Sequence, residues 1–271
     1  DTIRQQSGVN MPTLSGHMII KNGIKYDYSF IESCLSILPA CDEFIFVEGE
    51  GDDGTYEKLL EFQAGQPKVK IIRHPWTKEH YNVLSELTNV AIEACTGDYH
   101  LQIQADEAIH ENHHARIRQL MDTGVDMCVF KAVHFYSGFN TIYKPGVFYD
   151  AFNRMAKRSK YPGIRSYSDA MSLGNPDSDG YRVHTALEVA FYHYGYVRMP
   201  KALIEKQKQM TKWWGYQELD QYLVDGEAAG KINWSQKHHP DRLEKFTGQH
   251  PTPMIPWIDA RRVAVVTGEV S

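Results

Sequence analysis

Two adjacent carboxylates, Asp106 and Glu107, interrupt the stretch Gly97 to Glu111, GDYHLQIQADEAIHE. Hard cations such as Mg²⁺ and Mn²⁺ take oxygen ligands, commonly a few protein carboxylates completed by phosphate oxygens of a substrate. The residues before the pair alternate, Leu101, Ile103 and Ala105 against His100, Gln102 and Gln104, the period-two pattern of a buried strand. A carboxylate at the end of a central strand stands where open α/β sheets hold a ligand or metal. The same acids would also begin a helix well, against the positive end of its dipole, and helix-like sequence follows them. Spacing alone leaves both readings open.

The elements that must position these acids read as alternating strands and helices. His17 to Lys21 is a short strand closed by Asn22-Gly23. Phe30, Ile31, Cys34, Leu35 and Leu38 recur at three and four, an amphipathic helix that ends before Pro39. Glu43 to Glu48 (EFIFVE) is a second strand, and GEGDDGT a turn in which Asp52 or Asp53 caps the next helix. Val69 to Arg73 is a third strand. Leu84, Leu87, Ala91 and Ala94 line a helix that Gly97 stops. Such alternation predicts an α/β fold, a mostly parallel sheet covered on both faces.

Beyond Glu111 the pattern loosens. Ile117, Leu120 and Met121 suggest a helix, and Met127 to Val133 a strand. Phe135 to Asp179, rich in Tyr, Gly, Pro and Arg, reads as strands joined by functional loops. Ala190 to Val197 is strand-like, Lys201 to Tyr222 helical, and the sequence after Gly230 loop-rich. Residues 1–14 read as a tail, with Met11 a plausible native start and the residues before it an added remnant. The 271 residues suffice for one substantial core with a small appendage. A net charge of −5 gives no general footprint for nucleic acid. No apolar run reaches the roughly 18 residues of a membrane helix, and no signal-peptide pattern opens the chain. Cys34, Cys41, Cys95 and Cys128 lack CxxC spacing and read as buried thiols in a reducing, cytoplasmic compartment.

FIFVEGEGDDGT, TGDYHLQIQADEAIHE, IRSYSDA (Ile164–Ala170) and FYHYGYVR (Phe191–Arg198), with a Lys-rich helix after them, occur in this order between Ser15 and Tyr222. Together they resemble the family 2 glycosyltransferases of the GT-A fold. The resemblance implies a Rossmann-like GT-A domain over 15–222, with a nucleotide-binding half at about 15–110 and an acceptor-side half at about 111–222. A C-terminal extension spans 223–271. It also implies an enzyme moving a sugar from a UDP-, GDP- or dTDP-sugar with Mn²⁺ or Mg²⁺ bridging the diphosphate.

By that resemblance Asp106 matches the last acid of the family's Asp-x-Asp signature, and His193 matches a His that completes the metal site. Gln104 replaces the first acid and is expected at the ribose or sugar, with Glu107 at the donor sugar or a metal-bound water. Arg198 and Lys206 are expected at the diphosphate, Arg as a planar fork and Lys as a point charge. Ile20 and Asn22 close the base pocket, the strand ending at Glu48 meets the nucleoside, and Glu50 accepts from a pyrimidine or guanine N–H. An inverting transfer needs a general base for the acceptor hydroxyl, a role given to Asp169 first and Glu188 second. A sugar-nucleotide pyrophosphorylase would need a Gly-rich phosphate loop where this chain has IIKNGIKYD. Two other readings stay open: a non-catalytic nucleotide-sugar or glycan-binding module, favoured by Gln104, and an enzyme glycosylating a hydroxymethylated DNA base along Arg154, Lys157, Arg158 and Lys160. The acceptor itself, whether glycan, small molecule or modified base, is not legible in the sequence.

Overall fold

The computed structural model describes residues 11–77, 80–174, 180–215, 219–237 and 240–270. Its strands are β1 (Leu14–Ile20), β2 (Glu43–Glu48), β3 (Val69–Arg73), β4 (Tyr99–Gln102), β5 (Glu107–Ile109), β6 (Met127–Tyr136), β7 (Thr141–Tyr143), β8 (Ala151–Lys157), β9 (Arg165–Ser166), β10 (Leu173–Gly174), β11 (Val183–Tyr196) and β12 (Leu243–Lys245). The helices are α1 (Phe30–Ile37), α2 (Thr55–Ala64), α3 (Asn82–Ala94), α4 (His114–Asp122), α5 (Pro200–Trp214), α6 (Gln221–Ala229) and α7 (Ile255–Thr267).

Ten strands form one sheet in the order β12-β7-β6-β8-β4-β1-β2-β3, with β11 pairing both β6 and β5. The β4-β1-β2-β3 half is parallel, as its connecting helices require. Strand β2 shows why helices cover both faces. Phe44 and Phe46 pack with Cys34, Ile37 and Leu59 of α1 and α2, whereas Ile45 and Val47 pack with Val83, Leu87 and Ala91 of α3. Each such buried side chain contributes about 1.5–3 kcal/mol. The sheet thereby sets the C-terminal ends of β1, β2 and β4 side by side.

Two expectations from sequence need correction. Asp106-Glu107 starts no helix: Glu107 opens β5, which pairs antiparallel with β11 through Tyr192↔Ala108. The backbone groups after the acids are thus satisfied by a strand 84 positions away (192 against 108), a long-range pairing that local pattern does not reveal. The sequence after Gly230 is also less loop-rich than expected. Strand β12 joins the sheet through β7, and Trp257, Ile258 and Val265 of α7 pack with Phe135, Phe139 and Tyr194. All four cysteines are free and buried. No helix among the described residues is long and apolar enough to cross a membrane.

Candidate active site

The strand ends open on a cavity of about 580 Å³. Nine residues singled out by sequence line it: Ile20, Asn22, Glu50, Gln104, Asp106, Glu107, Asp169, His193 and Lys206. Asp106 is its electrostatic centre. Its Oδ2 accepts from Arg198 Nη2 at 2.6 Å and from Lys206 Nζ at 2.9 Å. Burial works against the charge, but Lys206 foremost, with Arg198, holds this carboxyl well below the usual carboxylate range.

His193 Nε2 stands 3.9 Å from the same Asp106 oxygen. Gly195, two residues on, also lines the cavity, and its lack of a side chain lets the imidazole pack against the chain there. A Cβ at residue 195 would lie 2.4 Å from His193 Nε2 and 3.3 Å from Asp106 Oδ2. An imidazole nitrogen and a carboxylate oxygen on one cavity wall are donors of the kinds that Mn²⁺ accepts. Among the described residues no three His, Cys, Asp or Glu side chains gather around a cation.

Three expected site residues are placed elsewhere. Arg198 does not line the cavity; it is 1% exposed, and its remaining donors go to the carbonyls of Gly195 (3.0 Å) and Tyr26 (2.6 Å). It holds Asp106 through that ion pair, and the lysines that line the cavity include Lys206, Lys21 and Lys25. Glu48 is fully buried, its carboxylate accepting from Gly51 N at 2.7 Å and Arg73 Nε at 3.0 Å. It holds the turn after β2 and is not turned toward the cavity. Glu188 is half-exposed on a bulged part of β11 and pairs with Arg116 at 2.8 Å, away from the cavity. Glu107 lines the floor, but its carboxylate is bound by Gln104 N at 2.9 Å and by Arg154 at 2.5 Å. Burial lifts its carboxyl to about 7 against the pull of that guanidinium.

Asp169 enters the cavity on a loop whose backbone is strained on both sides of it. Ser168 and Ala170 have φ of 53° and 57°, conformations that cost a non-glycine residue of the order of 1–3 kcal/mol and persist only where surroundings enforce them. The enforcement is visible: Gln102 Nε2 (2.6 Å) and Gln104 Nε2 (3.2 Å) both donate to the Ala170 carbonyl. Gln104 thus ties the strand of Asp106 to the loop of Asp169, work that an aspartate lacking an N–H donor cannot do. Gln104→Glu, which keeps size and removes the donor, is expected to lower kcat about tenfold, equivalent to the roughly 1.4 kcal/mol of one positioning hydrogen bond. Mn²⁺ affinity should not rise. A parental kcat would show that this tie does not position the loop, and tighter Mn²⁺ binding would put residue 104 beside the cation.

Sequence reasoning missed His134, Gln102, Arg154 as the partner of Glu107, and Trp76, whose ring lies over Gly49 and stacks on Trp213 at 5.5 Å. The Trp in HPWT directly after β3 is the one local signal among these.

The sequence matches the family model "Glycosyl transferase family 2" over residues 17–180, more than half of the chain. The chain belongs to this family. The transferase also resembles solved structures. One is GalNAc-T7 with UDP, GalNAc and Mn²⁺, at TM-score 0.50 and 11% identity, covering 73% of this chain and 48% of that one. Others are Pyrobaculum calidifontis mannosyltransferase PcManGT with GDP-Man and Mn²⁺ (TM-score 0.47, 15% identity, 95% and 70%) and S. aureus TarS 1-349 (0.45, 13%, 84% and 73%). The GalNAc-T7 match shows a shared GT-A fold, and the transferase spans about half of that chain. No curated protein sequence matches.

Proposed function

We propose that the transferase moves a sugar, with inversion, from a nucleotide-sugar donor to an acceptor hydroxyl, with a divalent cation held by Asp106 and His193. The observation that supports this reading is the approach of His193 Nε2 to Asp106 Oδ2, 3.9 Å apart on the wall of the cavity. A bound Mn²⁺ or Mg²⁺ supplies Lewis-acid neutralisation of the charge that develops on the leaving diphosphate. Lys206, already on the cavity wall, adds a second positive charge there. Ile20, Asn22 and Glu50, at the ends of β1 and β2, take the nucleoside. Asp169 accepts the proton of the acceptor hydroxyl while its oxygen bonds to the anomeric carbon and the carbon–phosphate oxygen bond breaks on the opposite face. GalNAc-T7, which shares the fold, holds a donor nucleotide and ion of the same classes.

The DNA-base reading finds no support in the proposed basic track. Arg154 is 2% exposed and paired with Glu107, Arg158 donates to the Cys95 carbonyl, and Lys160 lies 3.7 Å from Asp126. A binding module would retain nucleotide affinity without transfer.

The test is a screen of UDP-, GDP- and dTDP-sugars for Mn²⁺-dependent thermal stabilisation. A donor at ~100 times its Kd contributes about 2.7 kcal/mol, a rise of roughly 5–10 °C for a domain of this size. Equal stabilisation in EDTA, or none with any donor, would contradict the cation-dependent reading.

A further inference from the structure

We propose that Arg261 of α7 is a positioning residue for Asp106, acting through Asp27 on the two points that anchor Arg198. The proposal rests on the cation-binding role given to Asp106 above. It joins to the site a helix, Ile255–Thr267, that lies beyond residues 17–180, the span matched by the family model. The connection is a short relay of polar contacts. Arg261 Nε donates to Asp27 Oδ2 at 2.8 Å and to Oδ1 at 2.9 Å, and its Nη2 donates to Oδ1 as well. Such a fork fixes the plane of a carboxylate as well as its position. Asp27 Oδ2 also accepts from the backbone N of Met199, the residue directly after Arg198, at 2.8 Å. The carbonyl of Tyr26, the residue before Asp27, accepts from Arg198 Nη1 at 2.6 Å. Arg198 Nη2 in turn donates to Asp106 Oδ2 at 2.6 Å. The main chain beside Arg198 and its guanidinium are thus both tied to the neighbourhood of Asp27.

The backbone at Asp27 gives the clamp its purpose. Asp27 has a φ of 52°, a conformation that a non-glycine residue holds where its surroundings enforce it. Arg261 enforces it from a fixed base. Its Nη1 donates to the Trp257 carbonyl at 3.0 Å, and its guanidinium lies 4.3 Å over the Trp257 ring. Trp257 is itself buried against Phe139 and Tyr194. The segment held in this way lines the cavity through Asn22, Lys25, Tyr26 and Tyr28, and the Arg198 guanidinium lies 4.4 Å over the Tyr28 ring. Loss of the fork leaves the Met199 contact unsupported and lets the Tyr26 carbonyl shift, which loosens Arg198 and the carboxylate it holds.

R261M removes the fork, whereas V265A removes packing atoms from the same helix and leaves the fork in place. Affinity for UDP and GDP is measured for the parent and both variants, in Mn²⁺ and in EDTA, with melting temperatures alongside. Hydrogen exchange of the Arg198 Nε–H, identified by its absence in R198K, is followed by NMR. R261M should lose about tenfold in Mn²⁺-dependent nucleotide affinity, the lower end of what outer partners of a metal site contribute. Its loss in EDTA should be smaller, and its Arg198 Nε–H should exchange faster. V265A should melt lower and bind as the parent does. D27N and the R261M/D27N double variant should bind alike, because Arg261 acts through Asp27. Parental affinity or parental exchange in a folded R261M overturns the proposal, as does an equal loss of affinity in V265A or additive losses in the double variant. Should R261M fail to fold, R261K decides. One ammonium cannot reproduce the fork, so a smaller loss with faster exchange is expected, and no change overturns the proposal. A parent that binds nucleotide equally in Mn²⁺ and EDTA, or not at all, refutes the proposed function, and the exchange of the Arg198 Nε–H then decides the positioning.

Discussion

Asp169→Asn is expected to lower kcat by about 10²–10⁴-fold, the usual contribution of a general base, with donor affinity near the parental value. The donor's diphosphate and cation are assigned to Lys206, Asp106 and His193, none of which Asp169 touches through a hydrogen bond; its Oδ1 accepts from Met171 N, at 3.3 Å. Asn can still accept there, and the loop remains tethered by Gln102 and Gln104 through the Ala170 carbonyl. Structural collapse is therefore a poor explanation for a loss of rate. An Asn variant with near-parental kcat, or a loss that lies wholly in donor binding, would remove Asp169 from the chemistry. Glu188, on the exposed bulge beside Arg116, does not replace it.

The second large effect belongs to Asp106. The role that the family resemblance gives Asp106 implies that its removal costs donor turnover far more than stability. The structure adds a cost in stability, because Arg198 and Lys206 both converge on Oδ2 and Arg198 is buried. Asp106→Asn should lower turnover about 10²–10³-fold, the several kcal/mol that Lewis-acid stabilisation supplies. It should also destabilise the protein by about 3–5 kcal/mol, as expected when one partner of a buried ion pair is removed. The pH dependence follows from the depressed folded pKa of Asp106. Its contribution is present above the unfolded carboxylate pKa, near 4, and is lost only as pH falls toward the lower folded value. The difference in melting temperature between parent and Asn variant should accordingly be full at pH 7 and shrink in strong acid. A constant difference across that range would show that the ionised carboxylate is not the source.

Much of the site was legible because its residues sit at the ends of regular strands. The alternation through Leu101 and Ile103 identifies β4 and delivers Gln104 and Asp106, and EFIFVE identifies β2 and delivers Glu50. His193 and Lys206 follow from a strand and a helix whose patterns are equally local. The misplacements share one cause, a partner far away in sequence. Glu48 is turned from the cavity by Arg73, its register neighbour on β3. Arg198 is drawn inward by the Tyr26 carbonyl, 172 residues away. Glu188 is displaced by a bulge in β11, where pairing with β6 shifts between Ala186 and Ala190. His134 carries no spacing signal at all, since its relation to His193 exists only once β6 and β11 pair in parallel with His193↔His134 in register. The helix α7 escaped notice for a related reason. Its apolar residues form no clean stripe, and Val263 is 73% exposed.

The pairing of His193 with Asp106 is the centre of this account, and Gly195→Ala disturbs it while keeping both side chains. The added methyl would stand 2.4 Å from His193 Nε2 and 3.3 Å from Asp106 Oδ2, so the imidazole must move from its place beside the carboxylate. The measurement is Mn²⁺ binding by EPR titration in the presence of the stabilising nucleoside diphosphate, parent against Gly195→Ala, with melting temperature recorded for both. The parent is predicted to bind one Mn²⁺ per chain. The Ala variant is predicted to stay folded and to bind Mn²⁺ at least about 10²-fold more weakly, as loss of coordination by a pair of ligands requires. A folded Ala variant that binds Mn²⁺ as tightly as the parent would place the cation elsewhere and contradict the account.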